Sequence, residues 1–203
     1  MEPLMFILEN LKRGFEQVTG VGRRSPISLR SLVRQRKAHT AMFQDDGDIP
    51  NNQSLPFVRY HSPVRLLAEQ DPAATLERLF ESNGWRHSWR NGIYDYMHYH
   101  SATHEVLGIA RGHARVQFGG RNGKIAELRA GDVAILPAGT GHHCISASPD
   151  LLVVGAYAAG GRYDECSGSP EQHERALASI PDVPVPATDP VYGAHGPLRD
   201  LWH

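Results

Sequence analysis

Three histidines and one glutamate near the middle of the chain have the residue types and the spacing of a metal site. His98 and His100 are two residues apart, so in a β-strand their side chains lie on the same face. Glu105 follows after a short turn, and His142 begins a later strand-like segment. If these segments line one barrel interior, the four side chains converge. Three imidazoles and one carboxylate suit one divalent ion: iron, manganese, nickel, cobalt or zinc.

Neighbouring residues offer alternatives to this set of ligands. His104 is adjacent to Glu105 and could replace it, but adjacent strand residues point to opposite faces unless a bulge intervenes. Glu105 is therefore preferred. By the same alternation, His143 points away from the interior and Cys144 points into it. A free cysteine is more often a small buried apolar residue than a ligand, so both readings of Cys144 remain open.

Four residues are candidates for a substrate pocket around such an ion: Arg90, Tyr94, Tyr96 and Cys144. The two tyrosines share a strand face with the two histidines, and they either line the pocket or fill the mouth of the barrel. Arg90 could bind a substrate carboxylate through its planar guanidinium. It could equally form a structural ion pair with an acidic side chain.

Short strand-like segments surround these residues. Seven strands separated by glycine-containing turns are predicted, at 93–99, 105–110, 114–118, 125–128, 132–136, 142–148 and 151–157. Short strands at this spacing indicate an antiparallel sandwich or barrel and not a parallel α/β sheet. An additional short strand is predicted at 55–60. The predicted fold class is all-β with flanking helices.

Two helices are predicted outside the strand-rich region. Asp71 is a suitable N-cap with proline after it, and Asn83-Gly84 ends this first helix. Ser169-Pro170-Glu171-Gln172 is a capping box, which predicts a second helix to about Ser179. The proline-containing segments at 183–186 and 189–193 are expected to lie on the barrel as extended chain. Asp45, Asp46 and Asp48 resemble part of a calcium loop without its final glutamate, so a solvated turn is preferred.

The composition excludes several classes of function. The 203 residues carry a net charge of -1, which gives no reason to expect nucleic acid or a membrane surface as a partner. No run of 18 apolar residues is present, so no transmembrane helix is predicted. The two cysteines do not form a disulfide framework, and a cytoplasmic location is expected.

The beginning of the chain differs from the rest. Residues 1–40 contain eight Lys or Arg against three Glu, with a weak helical stripe over 4–18. We expect a mobile basic extension over 1–41 and a single domain over 42–203. Two alternatives stay open: Met42 is the true start, or the extension is a basic arm that binds a partner.

Two longer patterns contain all four candidate ligands. Gly92 to Gly112 fits G-x5-H-x-H-x4-E-x6-G, and Gly131 to His142 fits G-x5-P-x-G-x2-H, at every fixed position. On these motifs the chain resembles the cupin superfamily over residues 85–160. The segments DDGDIPNN, SWRNGI, HYHSATHEVLG and DPVYGAHGPL are similar to a small bacterial family of single-domain cupins, the YjlB-like proteins, and extend the resemblance from about 42 to 202.

The resemblance implies a double-stranded β-helix, the cupin jelly-roll barrel, with its core at 85–160 and a C-terminal helix and extended tail at 161–203. It also implies that one metal ion is bound by the motif residues His98, His100, Glu105 and His142. The second motif usually closes with asparagine, where this chain has Ser146. Because that position is not a ligand, the departure concerns local hydrogen bonding only.

A divalent ion with one carboxylate ligand keeps a net charge near +1 and attracts a small anionic or oxygen-bearing molecule. The predicted function is a metal-dependent enzyme, either an oxygenase or an isomerase/lyase. The alternatives are a metal-holding or ligand-binding module without turnover, and a vestigial site in a barrel that serves assembly. A homodimer is expected, because Ile93, Met97 and Tyr99 would form an outward row on their strand.

Overall fold

The computed structural model describes residues 28–203 of the chain. The helical stripe predicted at 4–18 and most of the predicted N-terminal extension lie outside these residues. In chain order, the described elements are α1 (Leu29–Leu32), β1 (Ala38–Ala41), β2 (Phe57–Tyr60), α2 (Pro72–Ser82), β3 (Trp85–Asn91), β4 (Glu105–Arg111), β5 (His113–Phe118), β6 (Lys124–Arg129), β7 (Val133–Leu136), β8 (His142–Ala147), β9 (Leu152–Ala158), α3 (Pro170–Ser179), a 3-10 turn (Ile180–Asp182) and α4 (Leu198–Leu201).

Two antiparallel sheets make up the described fold. The larger has the strand order β1-β2-β7-β4-β9-β3, and the smaller has the order β6-β5-β8. A closely packed apolar cluster takes side chains from both sheets, including Leu107 of β4, Leu136 of β7 and Phe118 of β5. The all-β fold with flanking helices that the strand pattern predicts is confirmed.

The opposite face of the larger sheet carries a second apolar cluster. Side chains alternate along β4, so Val106 joins this outer cluster while Leu107 belongs to the inner one. Helix α2 covers the outer face with Leu76 and Phe80, which are fully buried. Gly108 permits the close approach, because a Cβ atom there would lie 2.8 Å from the ring of Phe80.

Both predicted helices are present with their predicted caps. The carboxylate of Asp71 accepts the backbone N–H of Ala73, and proline follows at the first helical position of α2. The capping box of α3 is complete, with Ser169 and Gln172 each bonding the other's backbone. Within residues 28–203, no helix combines the length and the apolar character needed to cross a membrane.

The predicted domain boundary after residue 41 lies too far along the chain. Residues 38–41 form strand β1, which pairs in register with β2 from Ala38 opposite Tyr60 to Ala41 opposite Phe57. These residues belong to the sheet and not to an extension. The four-residue segment has no periodicity long enough to reveal a strand, and its place in the sheet is decided by pairing with a distant segment.

The strand predicted at 93–99 is wrong. Apart from two isolated bridges at His98 and Tyr99, this segment is irregular. The preceding residues form β3 instead, which pairs with β9 and contains a bulge where His87 has a φ of 55°. Consequently the row assumed for dimerisation is not an outward surface, because Tyr99 is fully buried beneath the C-terminal segment beside Cys166. The homodimer itself stays a prediction.

Candidate metal centre

Three imidazoles meet at one end of the barrel interior. His98, His100 and His142 each offer a nitrogen, and these nitrogens lie within 4.8 Å of one another. His142 begins β8, and its backbone exchanges two hydrogen bonds with His98, of 3.2 and 2.9 Å. All three side chains are buried. The structure therefore brings together the three histidines that the sequence selects.

Glu105 completes the cluster from the larger sheet. It is the first residue of β4 and shares the inward face with Leu107. Its Oε2 lies 3.5 Å from Nε2 of His100 and 3.4 Å from Nε2 of His142. The carboxylate thus lies beside His100 and His142, on the face that strand alternation predicts, while the atoms that all lie within 4.8 Å of one another belong to the three histidines.

Each imidazole is oriented by a backbone carbonyl oxygen. The Nδ1–H groups of His98 and His142 donate to the carbonyl oxygens of Tyr96 and Thr140, at 3.1 and 3.2 Å. Nδ1–H of His100 donates to the carbonyl oxygen of Asp164. A hydrogen bond at Nδ1 fixes the tautomer and leaves Nε2 with its lone pair for a cation.

The buried charges in the cluster act strongly on one another. Burial, and next the neighbouring imidazoles, lowers the pKa of His142 to about 3, and burial also lowers the pKa of His98. Burial opposes charge on His100, but Glu105 and the carbonyl oxygen of Asp164 outweigh it and raise its pKa to about 9. The pKa of Glu105 is lowered, because the imidazoles, His100 foremost, outweigh the effect of burial. With no ion bound, His98 and His142 are therefore neutral, and His100 is a cation that faces the ionised carboxylate of Glu105. A metal ion bound at Nε2 of His100 would displace the proton from that nitrogen.

The donor set fits a divalent cation. Oε2 of Glu105 is fully buried and has no hydrogen-bond partner in the described chain. Its neighbours are Nε2 of His100 and Nε2 of His142, at 3.5 and 3.4 Å, which are longer than ordinary hydrogen bonds, and buried polar atoms normally have a closer partner. Three imidazole nitrogens within 4.8 Å of one another, with an ionised carboxylate beside two of them, match the preference of a first-row divalent ion.

A cavity of about 410 Å³ opens from this cluster. That volume lies in the range of small-molecule sites. The four clustered side chains line it together with mainly aromatic and apolar residues: Trp89, Ile93, Tyr94, Leu107, Tyr157 and Tyr163. A small organic molecule in the cavity would contact the cluster directly.

The four predicted pocket residues divide into two pairs. Arg90 and Tyr94 line the cavity, whereas Tyr96 and Cys144 do not. The guanidinium of Arg90 is held by Glu77, through two 2.7 Å bonds, and by Asp71 at 2.9 Å. These carboxylates, Glu77 first, raise the pKa of Arg90, so this residue has the structural ion pair and not a free charge.

Tyr96 and Cys144 lie outside the cavity lining for two different reasons. Strand alternation placed Tyr96 with the histidines, but residues 93–97 do not form a strand. The phenol of Tyr96 donates to Glu165 at 2.8 Å, which raises the pKa of Tyr96 to about 12, and its ring stacks on Tyr94 with centroids 4.9 Å apart. Cys144 packs against the inner apolar cluster, in the common role of a small apolar residue.

Trp89, Tyr157 and Tyr163 are cavity residues that the sequence reasoning missed. The indole N–H of Trp89 donates to the phenol oxygen of Tyr157 at 3.0 Å. Tyr157 lies directly opposite Glu105 in the β4–β9 pairing. It is the last residue of the strand predicted at 151–157, so pairing that strand with the one that begins at Glu105 could have placed Tyr157 at the site. Tyr163 comes from the loop after β9, where no periodic pattern exists.

His104 does not belong to the cluster. Its Nδ1 accepts the backbone N–H of Ala138 at 2.9 Å, and its ring packs on Trp202 with centroids 4.8 Å apart. Burial lowers the pKa of His104 to about 4, so the ring is a neutral hydrogen-bond acceptor. His104 and Glu105 thus point to opposite sides, as expected for adjacent residues at the start of a strand.

Comparison with known proteins gives the following matches. The sequence model of the Cupin family matches residues 88–162. Uncharacterized protein YjlB of Bacillus subtilis (strain 168) is 39% identical over 168 residues, which are 83% of this chain and 98% of that protein. Among solved structures, acireductone dioxygenase from Bacillus anthracis, with a cadmium ion in its active center, is 17% identical with a TM-score of 0.34, over 48% of this chain and 71% of that one. QdtA, a sugar 3,4-ketoisomerase from Thermoanaerobacterium thermosaccharolyticum in complex with TDP, is 14% identical with a TM-score of 0.34, over 46% and 74%.

Proposed function

This chain belongs to the cupin superfamily, in the family of YjlB from Bacillus subtilis, and on that premise we propose that it is a metal-dependent enzyme. Its two antiparallel sheets are those of the double-stranded β-helix. We propose a small polar or anionic organic molecule as the substrate and an oxygenase or an isomerase/lyase reaction. We further propose that the protein works in the cytoplasm, since Cys144 and Cys166 are free and burial raises the pKa of both thiols.

The three buried imidazoles whose nitrogens lie within 4.8 Å of one another are the single observation that carries the proposal. In this proposal His98, His100, Glu105 and His142 hold one divalent ion, which is iron, manganese, nickel, cobalt or zinc. When bound, such an ion supplies Lewis acidity to an oxygen-bearing molecule. The chain's own residues then determine which molecule enters and how it is oriented.

Tyr157 is placed to orient a bound molecule. Because the indole of Trp89 donates to its phenol oxygen, the hydroxyl hydrogen of Tyr157 is left to donate to another acceptor. Burial, with Glu105 nearby, raises the pKa of Tyr157, so the phenol keeps its proton at neutral pH. The hydroxyl of Tyr157 therefore lies where it can donate to the Glu105 carboxylate or to a substrate oxygen bound beside that carboxylate.

The charges around the cavity leave the bound ion as the site where an anionic group of the substrate would bind. Arg90 is the one lysine or arginine lining the cavity in the described chain, and its charge is neutralised by Glu77 and Asp71. An anionic group on the substrate must then be met at the metal centre, since the rim offers no free guanidinium. Ile93 and Leu107 contribute apolar wall that excludes water from the reacting molecule.

A second candidate function is ligand binding without turnover. The phenol of Tyr163 also has a raised pKa, from burial and from its hydrogen bond to Glu165, so it is a poor base at neutral pH. A cavity wall of neutral phenols and apolar side chains suits a module that only holds a molecule on the ion. The two candidates differ in one measurable respect, the consumption of the bound molecule.

The first experiment tests the metal centre. Protein purified without an affinity tag should contain about one equivalent of a divalent metal by elemental analysis, and a His98→Ala/His142→Ala variant should contain almost none. His113→Ala, an exposed histidine of β5, is the matched control and should retain the metal. Equal metal content in the wild type and the double variant would end the proposal.

Turnover is tested with the same preparations. Metal-loaded protein is incubated in air with a mixture of small carboxylates and polyols, and the mixture is followed by mass spectrometry. An enzyme should deplete at least one compound, and Glu105→Gln should abolish the depletion. Retention of a compound on the protein without any depletion would favour the binding module.

A further inference from the structure

We propose that Asp164 is a positioning residue for His100 and hence for the metal centre. Asp164 lies in the loop after β9 and contributes no atom to the cluster of ligands. It would act by fixing the carbonyl oxygen that orients the His100 ring. The inference rests on the proposed metal-binding function and concerns this chain's own residues.

The three imidazoles differ in how they are oriented. His98 and His142 each donate to a carbonyl oxygen two residues earlier in their own segments. Local backbone therefore fixes these two rings. His100 instead donates to the carbonyl oxygen of Asp164, which lies 64 residues further along the chain. Its orientation depends on whether that distant loop stays in place.

The Asp164 carboxylate holds the loop against the segment that carries His100. It accepts the backbone N–H of Ser101 at 3.0 and 3.1 Å and that of Ala102 at 3.0 Å. It also accepts the hydroxyl of Ser101 at 2.6 Å. Asp164 thus contacts His100 through its backbone and the next two residues through its side chain. Hydrogen bonds to an ionised acceptor are the stronger class. These four bonds of the Asp164 carboxylate, called the Asp164 clasp below, therefore hold the loop firmly against residues 101 and 102.

Backbone pairing on either side completes the attachment. Tyr99 and Cys166 exchange two N–H···O bonds of 2.9 Å, and the N–H of Arg162 donates to the carbonyl oxygen of Ala102 at 3.0 Å. Within this pairing, Asp164 is the residue that meets the imidazole. Asp164 lies just after the residues that match the Cupin family model, 88–162, whereas its partners Ser101 and Ala102 lie inside the first motif.

Loosening this clasp should weaken metal binding more than it weakens the fold. Removing a group that orients a histidine ligand typically lowers metal affinity about 10–100-fold. Replacement of Asp164 by alanine keeps the carbonyl oxygen but removes the bonds that hold it in position. Asp164→Asn keeps one side-chain acceptor and should have an intermediate effect.

The experiment titrates metal-free full-length protein with Co²⁺, following heat and the visible absorption of the bound ion. Relative to the wild type, Asp164→Ala should bind Co²⁺ about 10–100-fold more weakly and with an altered visible spectrum. Asp132→Ala is the control for a lost carboxylate clasp. The Asp132 side chain accepts the backbone N–H groups of Ser62 and Arg129, at 2.9 and 3.2 Å. Asp132 directly precedes β7, whereas Glu105 pairs with the last residue of β7, so the control lies at the opposite end of this strand from the candidate ligand. This control should lose thermal stability but change the affinity less than threefold.

The outcomes separate the inference from the proposed function. If the wild type binds no Co²⁺, the proposed function fails. If the wild type binds and Asp164→Ala matches it within threefold with the same spectrum, only the role of Asp164 is overturned. Equal weakening in Asp164→Ala and Asp132→Ala would reduce that role to general stability and also overturn it. Should Asp164→Ala fail to fold, Ser101→Ala removes one bond of the clasp and must still weaken binding at least threefold.

Discussion

Gly155 is the residue that allows an indole ring to lie against the sheet next to the histidine cluster. A Cβ atom at this position would lie 2.1–2.5 Å from three atoms of the Trp89 ring. The ring therefore packs directly on the backbone of β9, and from there its N–H reaches Tyr157. A glycine inside a strand commonly marks such a close approach.

We predict that Gly155→Ala displaces the Trp89 ring and breaks its hydrogen bond to Tyr157. Overpacking of this kind should lower the free energy of unfolding by about 1–3 kcal/mol. Urea unfolding of metal-free protein gives the free energy, and a shift of the tryptophan emission reports the displaced ring. Gly92→Ala is the control, because a Cβ there meets nothing within 4 Å and its φ is not positive. A change below about 0.5 kcal/mol in both variants would contradict the argument.

At the residue scale, the cluster was predictable because motif spacing selects the four side chains independently of their exact backbone. His98 and His100 point inward even though their segment forms only isolated bridges. The same alternation rule failed for Tyr96 and Tyr99, since it holds only where a strand continues. Asp164 had no signal in the sequence, because it meets His100 through a contact between distant loops.

At the scale of elements, the turn at 45–52 supports the second motif. Asn52 donates to the carbonyl oxygen of Ala138 at 3.1 Å, and Asn51 accepts the N–H of Gly141 at 3.3 Å. The turn itself is organised by the Asp46 carboxylate, which accepts the N–H groups of Ile49 and Arg121 at 2.8 and 2.7 Å. The acidic segment is thus a turn, but it is less solvated than the sequence predicts, because the Asp46 side chain is 1% exposed and accepts backbone N–H groups.

We predict that Asp46→Ala destabilises the protein by about 1–2 kcal/mol at pH 7, because it removes the charged acceptor of the backbone N–H groups of Asp48, Ile49 and Arg121. These N–H groups outweigh burial and lower the pKa of Asp46 below its unfolded value of 3.8. The carboxylate therefore stabilises the fold above pH 3.8, and this contribution is lost as the pH falls through the lower folded value. Urea unfolding from pH 7 to 3 should show the difference from wild type narrowing below pH 3.8.

Asp48→Ala is the control for this turn. Asp48 is exposed and pairs with Arg121 at the surface, where an ion pair contributes about 0–1 kcal/mol. Its substitution should leave the free energy of unfolding nearly unchanged at every pH. A loss as large as that of Asp46→Ala would show that net charge, and not the hydrogen bonds of the turn, is responsible.

The longer elements could be predicted because their signals are local. Strands β4 to β9 are short segments separated by turns that the sequence marks with glycine, and the two main helices, α2 and α3, begin with recognisable N-cap residues. Strands β1 and β3 were missed for a different reason. The first has four residues, and the second is largely polar and bulged at His87, so both are fixed by partners distant in the chain.

At the scale of the whole described fold, the last fifteen residues pack against the outer apolar cluster and contribute Val191, Leu198 and Trp202 to it. Asp189 is fully buried and accepts the hydroxyl of Tyr60 at 2.6 Å and the N–H groups of Val191 and Tyr192 at 2.8 and 3.0 Å. The expected extended chain is therefore a series of turns around a buried carboxylate. Trp202 follows, and its indole N–H donates to the carbonyl oxygen of Pro56 at 2.8 Å.

We predict that Trp202→Ala lowers the free energy of unfolding of metal-free protein by about 3–5 kcal/mol, as expected for emptying a buried aromatic site. The ring is 1% exposed and packs on His104, on the opposite side of the strand start from Glu105. Co²⁺ affinity of the folded variant should therefore change less than threefold, since Ala138 still donates to His104. Urea unfolding followed by circular dichroism and Co²⁺ titration measure the two quantities.

Leu177→Ala, at an exposed apolar residue of α3, is the control and should lower the free energy of unfolding by less than about 0.5 kcal/mol. A large loss of Co²⁺ affinity in Trp202→Ala would mean that the C-terminal segment acts on the metal centre and does more than stabilise the fold.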